Sequence, residues 1–411
     1  MGVSGRILFF AEAVTLAHVA RPIVLANSLD PNRYETVMAC SPRYQRFLDC
    51  EAWNTLPLNS ITSQRFVRAL ASGSPVYDVE TLRGYVREDL SLIETVEPDL
   101  VVGDFRLSLS VSCRLAGVPY AAITNAYWSP FFIGLKYPLP VLPMTRFLPI
   151  AVAQAVFNLA RRIAFALHCK PLNRVRIENG LPSLGDDLRR VYTDADCTLY
   201  ADAPGLFETE PLPPNHRYLG PILWSPPLTK PIWWDALPTD KPIIYLTLGS
   251  SGQAAVLNQV LEALSEMPVT VMASTAGRAV PDRRASNLFI ADYLPGIEAA
   301  ARSQLVICNG GSPTSHQALS AGVPVLGIAS NMDQFLNMAA IVKAGAGILL
   351  RADRLGNRLV RDAVEKILVA SRLGINAARL SHGFGPDDAG RRFRDWVDES
   401  LDGGSGHSQA A

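Results

Sequence analysis

Four groups of residues in this chain could do chemistry. The first is Asn309-Gly310-Gly311-Ser312, set between the apolar run Leu305–Cys308 and a helical pattern that stops at Gly322 before Pro324. A strand, a glycine turn and a helix in that order present free backbone amides and the positive end of a helix dipole. Adjacent glycines let a ligand approach that backbone closely, and a diphosphate suits it. A second apolar run, 323–329, leads to Asp333 and Gln334, which should emerge beside the turn at the carboxyl edge of a parallel sheet. The second group is Gly249-Ser250-Ser251-Gly252, between the apolar run 243–248 and a helix expected over 253–264. Its amides and hydroxyls can bind a diphosphate or simply cap a helix. The third is His18, at the start of a helical pattern over 18–29, where the dipole disfavours protonation and leaves an imidazole that can act as a base. On the residues alone, a surface or capping histidine is the commoner occupant of such a position. The fourth is Asp104, closing the apolar strand 99–104. It can accept a hydrogen bond from an imidazole on a neighbouring loop, or cap the helix expected over 107–115.

Strands at 6–11, 34–39, 99–104 and 120–124, alternating with helical patterns, predict an α/β chain with parallel sheets. At 411 residues the length suits two halves of roughly 200 residues each. Residues 220–242 hold six prolines and three tryptophans without periodicity, which marks a linker with fixed bends. The expected domains are 1–222, a linker over 223–242, 243–385, a C-terminal helix over 386–401 and a flexible tail over 402–411. The region 60–97 reads as helical with a break at Ser72-Gly73-Ser74-Pro75, and its polarity suggests a mobile lid or acceptor loop.

Lys plus Arg and Asp plus Glu are both 38, so no global field favours nucleic acid; the expected partners are small molecules, with the protein a monomer or homodimer. The six cysteines, Cys40, Cys50, Cys113, Cys169, Cys197 and Cys308, show no CxxC pair and no metal-ligand spacing. Reduced thiols, a cytoplasmic protein and no metal or other cofactor are expected. Glu12 interrupts the first apolar run, which argues for a buried strand over a signal peptide. Arg161 and Arg162 interrupt the run 147–167 short of the roughly 18 to 20 clean residues of a membrane span. The preferred reading there is a buried or pocket-lining helix, with peripheral contact at a membrane surface as the lesser alternative.

The segment 305–337 resembles the family 1 glycosyltransferases of the two-domain GT-B fold, which act on UDP- and dTDP-sugars in natural-product pathways. The family's His-Gly-Gly, following Thr, Glu-Ala-Leu, Gly-x-Pro, Asp-Gln and Asn is matched by Gly310, Gly311, Thr314, Ala318, Leu319, Gly322, Pro324, Asp333, Gln334 and Asn337. Asn309 stands where the family usually has a diphosphate-binding His, and Gln317 where it often has a ribose-binding Glu. His18-Val19-x-x-Pro22 is similar to the motif that carries the family's catalytic base, with Ala17 in place of its Gly. Asp292-Tyr293-Leu294-Pro295-Gly296 is similar to a base-stacking Trp-x-Pro-Gln, with Gly296 in place of Gln.

The resemblance implies two Rossmann-like domains facing each other across a cleft, the C-terminal helix returning to the first. It implies an inverting, metal-independent transfer of a hexose from UDP or dTDP to a hydroxyl of a hydrophobic acceptor. His18 would be the base and Asp104 its partner. Ser250, Ser251, Tyr293, Leu294, Asn309, Gly310, Gly311, Ser312, Thr314, Gln317, Asp333 and Gln334 would hold the sugar nucleotide. Gln317 offers one neutral acceptor where Glu offers a carboxylate, which suits dTDP, lacking the 2′-hydroxyl, at least as well as UDP. The aromatic residues Tyr127, Trp128, Phe131 and Phe132, after the strand Tyr120–Thr124, would wall the acceptor pocket or belong to ordinary core. Two alternatives stay open: a catalytically silent sugar-nucleotide-binding partner protein, suggested by the missing His and Glu, and a non-hydrolysing sugar-nucleotide epimerase.

Overall fold

The structure, a computed structural model, describes residues 5–48, 53–133, 137–249, 253–280, 285–385 and 388–402. The strands fall into two all-parallel sheets. The first contains β1 (Gly5–Ala11), β2 (Tyr34–Cys40), β3 (Asn54–Pro57), β4 (Leu100–Asp104), β5 (Tyr120–Thr124), β6 (Cys197–Tyr200) and β7 (His216–Tyr218), in the order β3-β2-β1-β4-β5-β6-β7. The second contains β8 (Ile243–Thr247), β9 (Thr270–Ser274), β10 (Leu288–Ala291), β11 (Leu305–Cys308), β12 (Val325–Ala329) and β13 (Gly347–Arg351), in the order β10-β9-β8-β11-β12-β13. Crossover helices cover both faces of such sheets, so the central strands read as unbroken apolar runs: Ile7 to Phe10 and Leu305 to Cys308 are fully buried.

Each sheet has one place where the strand order reverses. β1 pairs with both β2 and β4, and β8 with both β9 and β11. The connections leaving the two central strands there pass to opposite faces, which opens a crevice at the carboxyl edge between their loops. The four loops that this rule singles out begin after Ala11, Asp104, Thr247 and Cys308.

The chain divides into two compact units, one formed by Met1–Leu135, Val156–Ile222 and Asp387–Ala411, the other by Lys136–Ala155 and Leu223–Pro386. Part of the first half of the sequence thus belongs to the second unit. Backbone and arginine hydrogen bonds hold it there: Val141 N–H donates to the Ser330 carbonyl (2.7 Å), Arg351 Nη1 to that of Leu139 (2.6 Å) and Arg354 Nη2 to that of Thr145 (2.7 Å). The proline-rich linker has its own anchor in Trp234, 2% exposed, whose ring lies 4.9 Å from the Arg302 guanidinium. The last helix, Asp388–Asp402, packs on the first unit. Phe393 meets Phe9 at 6.0 Å, Tyr34 Oη donates to Asp398 Oδ1 (2.5 Å), and Arg392 Nη1 donates to the Leu219 carbonyl (3.2 Å).

Two expectations fail. The region 60–97 is no loose lid: its helices Ser63–Ser72 and Val79–Val96 sink Phe66, Leu82, Tyr85 and Val86 into one apolar cluster, with Tyr77 between them. Polar residues at regular helical spacing misled, because they mark only the outer face. The apolar helix Ile150–Glu178 is not buried either; only 11% of its most apolar 18-residue window is covered. Its last turns enter that cluster through Cys169, Leu172 and Val175, with Phe165 packed against it.

Candidate active site

At the crevice of the first sheet, the helix Ala17–Ser28 begins one residue before His18, and β4 ends on Asp104. Parallel pairing aligns Ala11 with Asp104, so the loop after β1 delivers the imidazole to the carboxylate. His18 Nδ1 lies 2.8 Å from Asp104 Oδ1, the histidine side chain 17% exposed and the aspartate wholly buried. Nδ1 also lies 3.0 Å from Arg21 Nη2, which only donates, but that nitrogen already donates to Asp104 Oδ1 (2.8 Å); the shorter contact to a carboxylate, which only accepts, assigns the hydrogen to Nδ1 and leaves the lone pair on Nε2. Asp104 caps no helix. Its Oδ2 accepts from Arg21 Nε (2.7 Å) and its Oδ1 also from Arg21 Nη2 (2.8 Å).

Arg21 escaped the sequence reading. One turn after His18 on the same helix, it is buried and also donates from Nη1 to Asn125 Oδ1 (3.1 Å), while Asn125 Nδ2 donates to the buried Asp202 (2.8 Å). Burial opposes its charge, but Asp104 outweighs that and leaves the guanidinium pKa raised. A charged residue among Val19, Ile23 and Leu25 on a helix start was the available signal: a buried arginine needs a carboxylate.

Phe105 was missed as well. It follows Asp104 with φ 59°, a left-handed conformation uncommon for any residue but glycine and costly for a bulky one, and its ring stacks on His18 with centroids 4.9 Å apart and planes at 16°. Around it stand Phe66 (5.8 Å), Tyr77 (6.1 Å) and Tyr192 (5.7 Å), and Trp128 meets Tyr192 edge-on at 5.1 Å. Of the four expected acceptor aromatics Trp128 belongs to this group, and Tyr127 meets it through Trp128 (6.2 Å). Tyr127 is fully buried against Phe207, Phe132 packs on Phe207 too, and Phe131 faces His216. Tight turning after β5 sends successive rings to different sides, which composition does not reveal.

The same two loops are clamped by ions. Arg106 and Glu12, both wholly buried, pair at 2.9 Å; Arg106 also pairs with Asp89 (2.8 Å) and Glu88 (2.9 Å) and lies 3.5 Å from the Tyr85 ring centre. Glu12 accepts from Tyr85 Oη as well (2.9 Å). Burial raises the pKa of Glu12 and of Asp89 against the pull of Arg106.

The crevice of the second sheet is built mainly from backbone. Gly310 has φ 81°, and a Cβ there would lie 2.7 Å from Met338 Cγ. Gly311 N–H donates to Asn309 Oδ1 (3.1 Å), so Asn309 shapes the turn from its own side chain. Asn337 Nδ2 ties the Gly310 carbonyl (2.8 Å) to Ser315 Oγ (2.9 Å). The helix Ser312–Ser320 starts there, with Ser312 buried and Thr314 half-buried in its first turn. Gly249, φ 62°, ends the described part of the loop after β8; Ser250 and Ser251 lie outside the described residues.

Gln317 is buried and donates through Nε2 to the Trp224 carbonyl (2.6 Å). A Cβ on Gly296 would lie 2.6 Å from its Oε1. Two of the departures from the family pattern, Gly296 and Gln317, are therefore neighbours in space: absence of a side chain at 296 makes room for the amide at 317. Gln334 is engaged in its own helix cap, its Oε1 accepting from Ser330 N (2.8 Å) and Ser330 Oγ (3.0 Å) and its N–H donating to Asn331 Oδ1 (3.0 Å). Asp333, in the same first turn, is half-buried. Tyr293 is half-buried with its hydroxyl near Gly277, and Leu294 is buried.

Residues 255–385 match the Erythromycin biosynthesis protein CIII-like, C-terminal domain. Over 96% of its length, and 92% of the relative's, the chain is 54% identical to a PGL/p-HBAD biosynthesis glycosyltransferase of Mycobacterium tuberculosis (strain ATCC 25177 / H37Ra). It is also 54% identical, over 96% and 87%, to a PGL/p-HBAD biosynthesis rhamnosyltransferase of Mycobacterium bovis (strain BCG / Pasteur 1173P2). A protein of that organism named as an inactive PGL/p-HBAD biosynthesis glycosyltransferase is 52% identical over 63% of this chain and 70% of its own. Among solved structures, the spinosyn rhamnosyltransferase SpnG superposes with a TM-score of 0.68 over 95% of this chain and all of its own, at 18% identity. The chain belongs to the family 1 glycosyltransferases, with the two-domain GT-B fold. It is a glycosyltransferase, and the epimerase alternative falls away.

Proposed function

We propose that the protein transfers a hexose, of the 6-deoxy type exemplified by rhamnose, from a nucleoside diphosphate to a hydroxyl of a hydrophobic small molecule, with inversion and without a metal. The observation that carries this reading is the His18 Nδ1 to Asp104 Oδ1 contact of 2.8 Å, which leaves Nε2 as the basic atom in a ring held flat by Phe105. Nε2 takes the acceptor's hydroxyl proton as the oxygen attacks the anomeric carbon, and Asp104 stabilises the imidazolium. Arg21 holds Asp104 in place. Aromatic rings around Phe105 suit an apolar acceptor, and the names of the 54% identical relatives support a step of PGL/p-HBAD type.

In the second unit, the amides of Gly310 to Ser312 and the following helix dipole receive the negative charge of the departing diphosphate. Asp333, in the first turn of the helix after β12, is the side chain assigned to the sugar hydroxyls, while the Gln334 carbonyl oxygen caps its own helix. UDP and dTDP are both admitted. Purified protein incubated with dTDP-rhamnose, UDP-glucose and phenolic acceptors, with products followed by mass spectrometry and EDTA present, tests the reading. Glycosylated product formed by the unmodified protein and lost with His18→Ala is expected; equal product from both, or product only with added divalent metal, overturns it.

A further inference from the structure

The helix Ile150–Glu178 divides into two parts. Its last turns are locked in the first unit by Cys169, Leu172 and Val175, and Arg176 pairs there with Asp194 at 2.5 Å. The part before them stands out. Val156 (45% exposed), Leu159 (85%), Ile163 (67%) and Leu167 (46%) recur at spacings of three and four residues and form one apolar stripe on the outer face. Nothing in the described chain covers it. Charge adds a second, independent observation: from 137 to 177 the sequence holds six Lys or Arg residues and no Asp or Glu. Arg174 pairs with Glu178 (2.6 Å) and the buried Arg176 with Asp194, and Arg161, Arg162 and Lys170 are the basic residues beside the stripe. Arg162 and Lys170 are exposed along the stripe, and Arg161 is half-buried.

We propose that this face rests in the plane of a lipid surface bearing anionic headgroups, the stripe entering the acyl boundary and the basic residues lying among the headgroups. Spanning the bilayer is excluded, because the final turns are committed to the core and Arg161 and Arg162 would lie inside the hydrocarbon. A second copy of the chain is a poorer occupant. In a two-fold contact centred on Leu159 and Ile163, the exposed Arg162 of one copy would face the same residue of the other. An anionic lipid surface supplies the missing negative charge. The inference stands apart from the catalytic reading, since it concerns binding with no substrate present.

Flotation of the full chain with phosphatidylcholine vesicles, with and without phosphatidylglycerol, tests it. The unmodified protein is expected to float with the anionic vesicles and to be released by high salt. The pair Leu159→Glu with Ile163→Glu should weaken that binding at least tenfold at an unchanged melting temperature, whereas Val369→Glu, at an equally exposed apolar residue of the second unit, should not. Equal flotation of all three proteins overturns the proposal. So does absence of binding together with a dimer in solution that the Leu159 and Ile163 substitutions dissociate.

Discussion

The carboxyl edges of the two sheets have the same topology and opposite chemistry. At the first, the position closing the outer strand of the crevice is Asp104, a carboxylate that gathers His18 and Arg21 around itself. At the second, the matching position is Cys308, a buried thiol whose sulfur accepts from Gly310 N–H (3.3 Å) and helps shape a glycine turn. One edge presents side chains held by ion pairs, the other main-chain amides in a turn with Gly310 at positive φ. A parallel sheet therefore supplies the place, and the few residues after each strand decide what is done there.

The largest effect should come from His18→Ala, which removes the proposed base. Turnover is expected to fall about a hundred- to ten-thousand-fold with nucleotide-diphosphate affinity unchanged by calorimetry, because the second edge is untouched. A loss of nucleotide affinity as large as the loss of turnover would erase the division of labour. Asp104→Asn should harm stability as well as rate, since it leaves the buried Arg21 without its counter-charge. A loss of roughly 3–5 kcal/mol in denaturant unfolding is expected, against little change if Asp104 held only the imidazole.

At the second edge, Gly310→Ala meets both a forbidden φ and Met338. About 1–3 kcal/mol of destabilisation and weaker nucleotide binding are expected, with part of the stability regained when Met338→Ala is added. Gln317→Glu should cost about 1–3 kcal/mol, because a carboxylate would face the Trp224 carbonyl in place of the amide donor. A change in the ratio of kcat/KM for dTDP- and UDP-sugars without any loss of stability would instead return Gln317 to ribose recognition. The smallest effect concerns Cys308, whose thiol burial pushes up to about 12. At pH 8 its thiolate is on the order of one part in ten thousand, so iodoacetamide should leave it unmodified in the folded protein and alkylate it after unfolding, as read by peptide mapping.

Much of this architecture was legible in the residues. Buried parallel strands need continuous apolar runs, glycine pairs mark turns that only glycine makes, and the order of His18, Asp104 and Gly310 along the chain follows the fold's own order. Side-chain partnership was less legible. Arg21 and Phe105 touch His18, and Glu12 and Arg106 clamp the same two loops, yet none of these contacts can be read before its partner, up to 94 residues away, is brought beside it. The aromatic run 127–132 shows the converse, a compact group in sequence that the turn after β5 disperses.

The sequence by itself determined the two parallel sheets and the glycine turn after β11, because periodicity and backbone permissiveness are local properties. Only the tertiary structure decided which charges neutralise one another, that Gln317 fills the space left by Gly296, and that the apolar helix Ile150–Glu178 lies outside the core. Those outcomes depend on what stands across from each side chain once distant segments pack, and an apolar stripe carries no mark of whether protein or solvent will meet it.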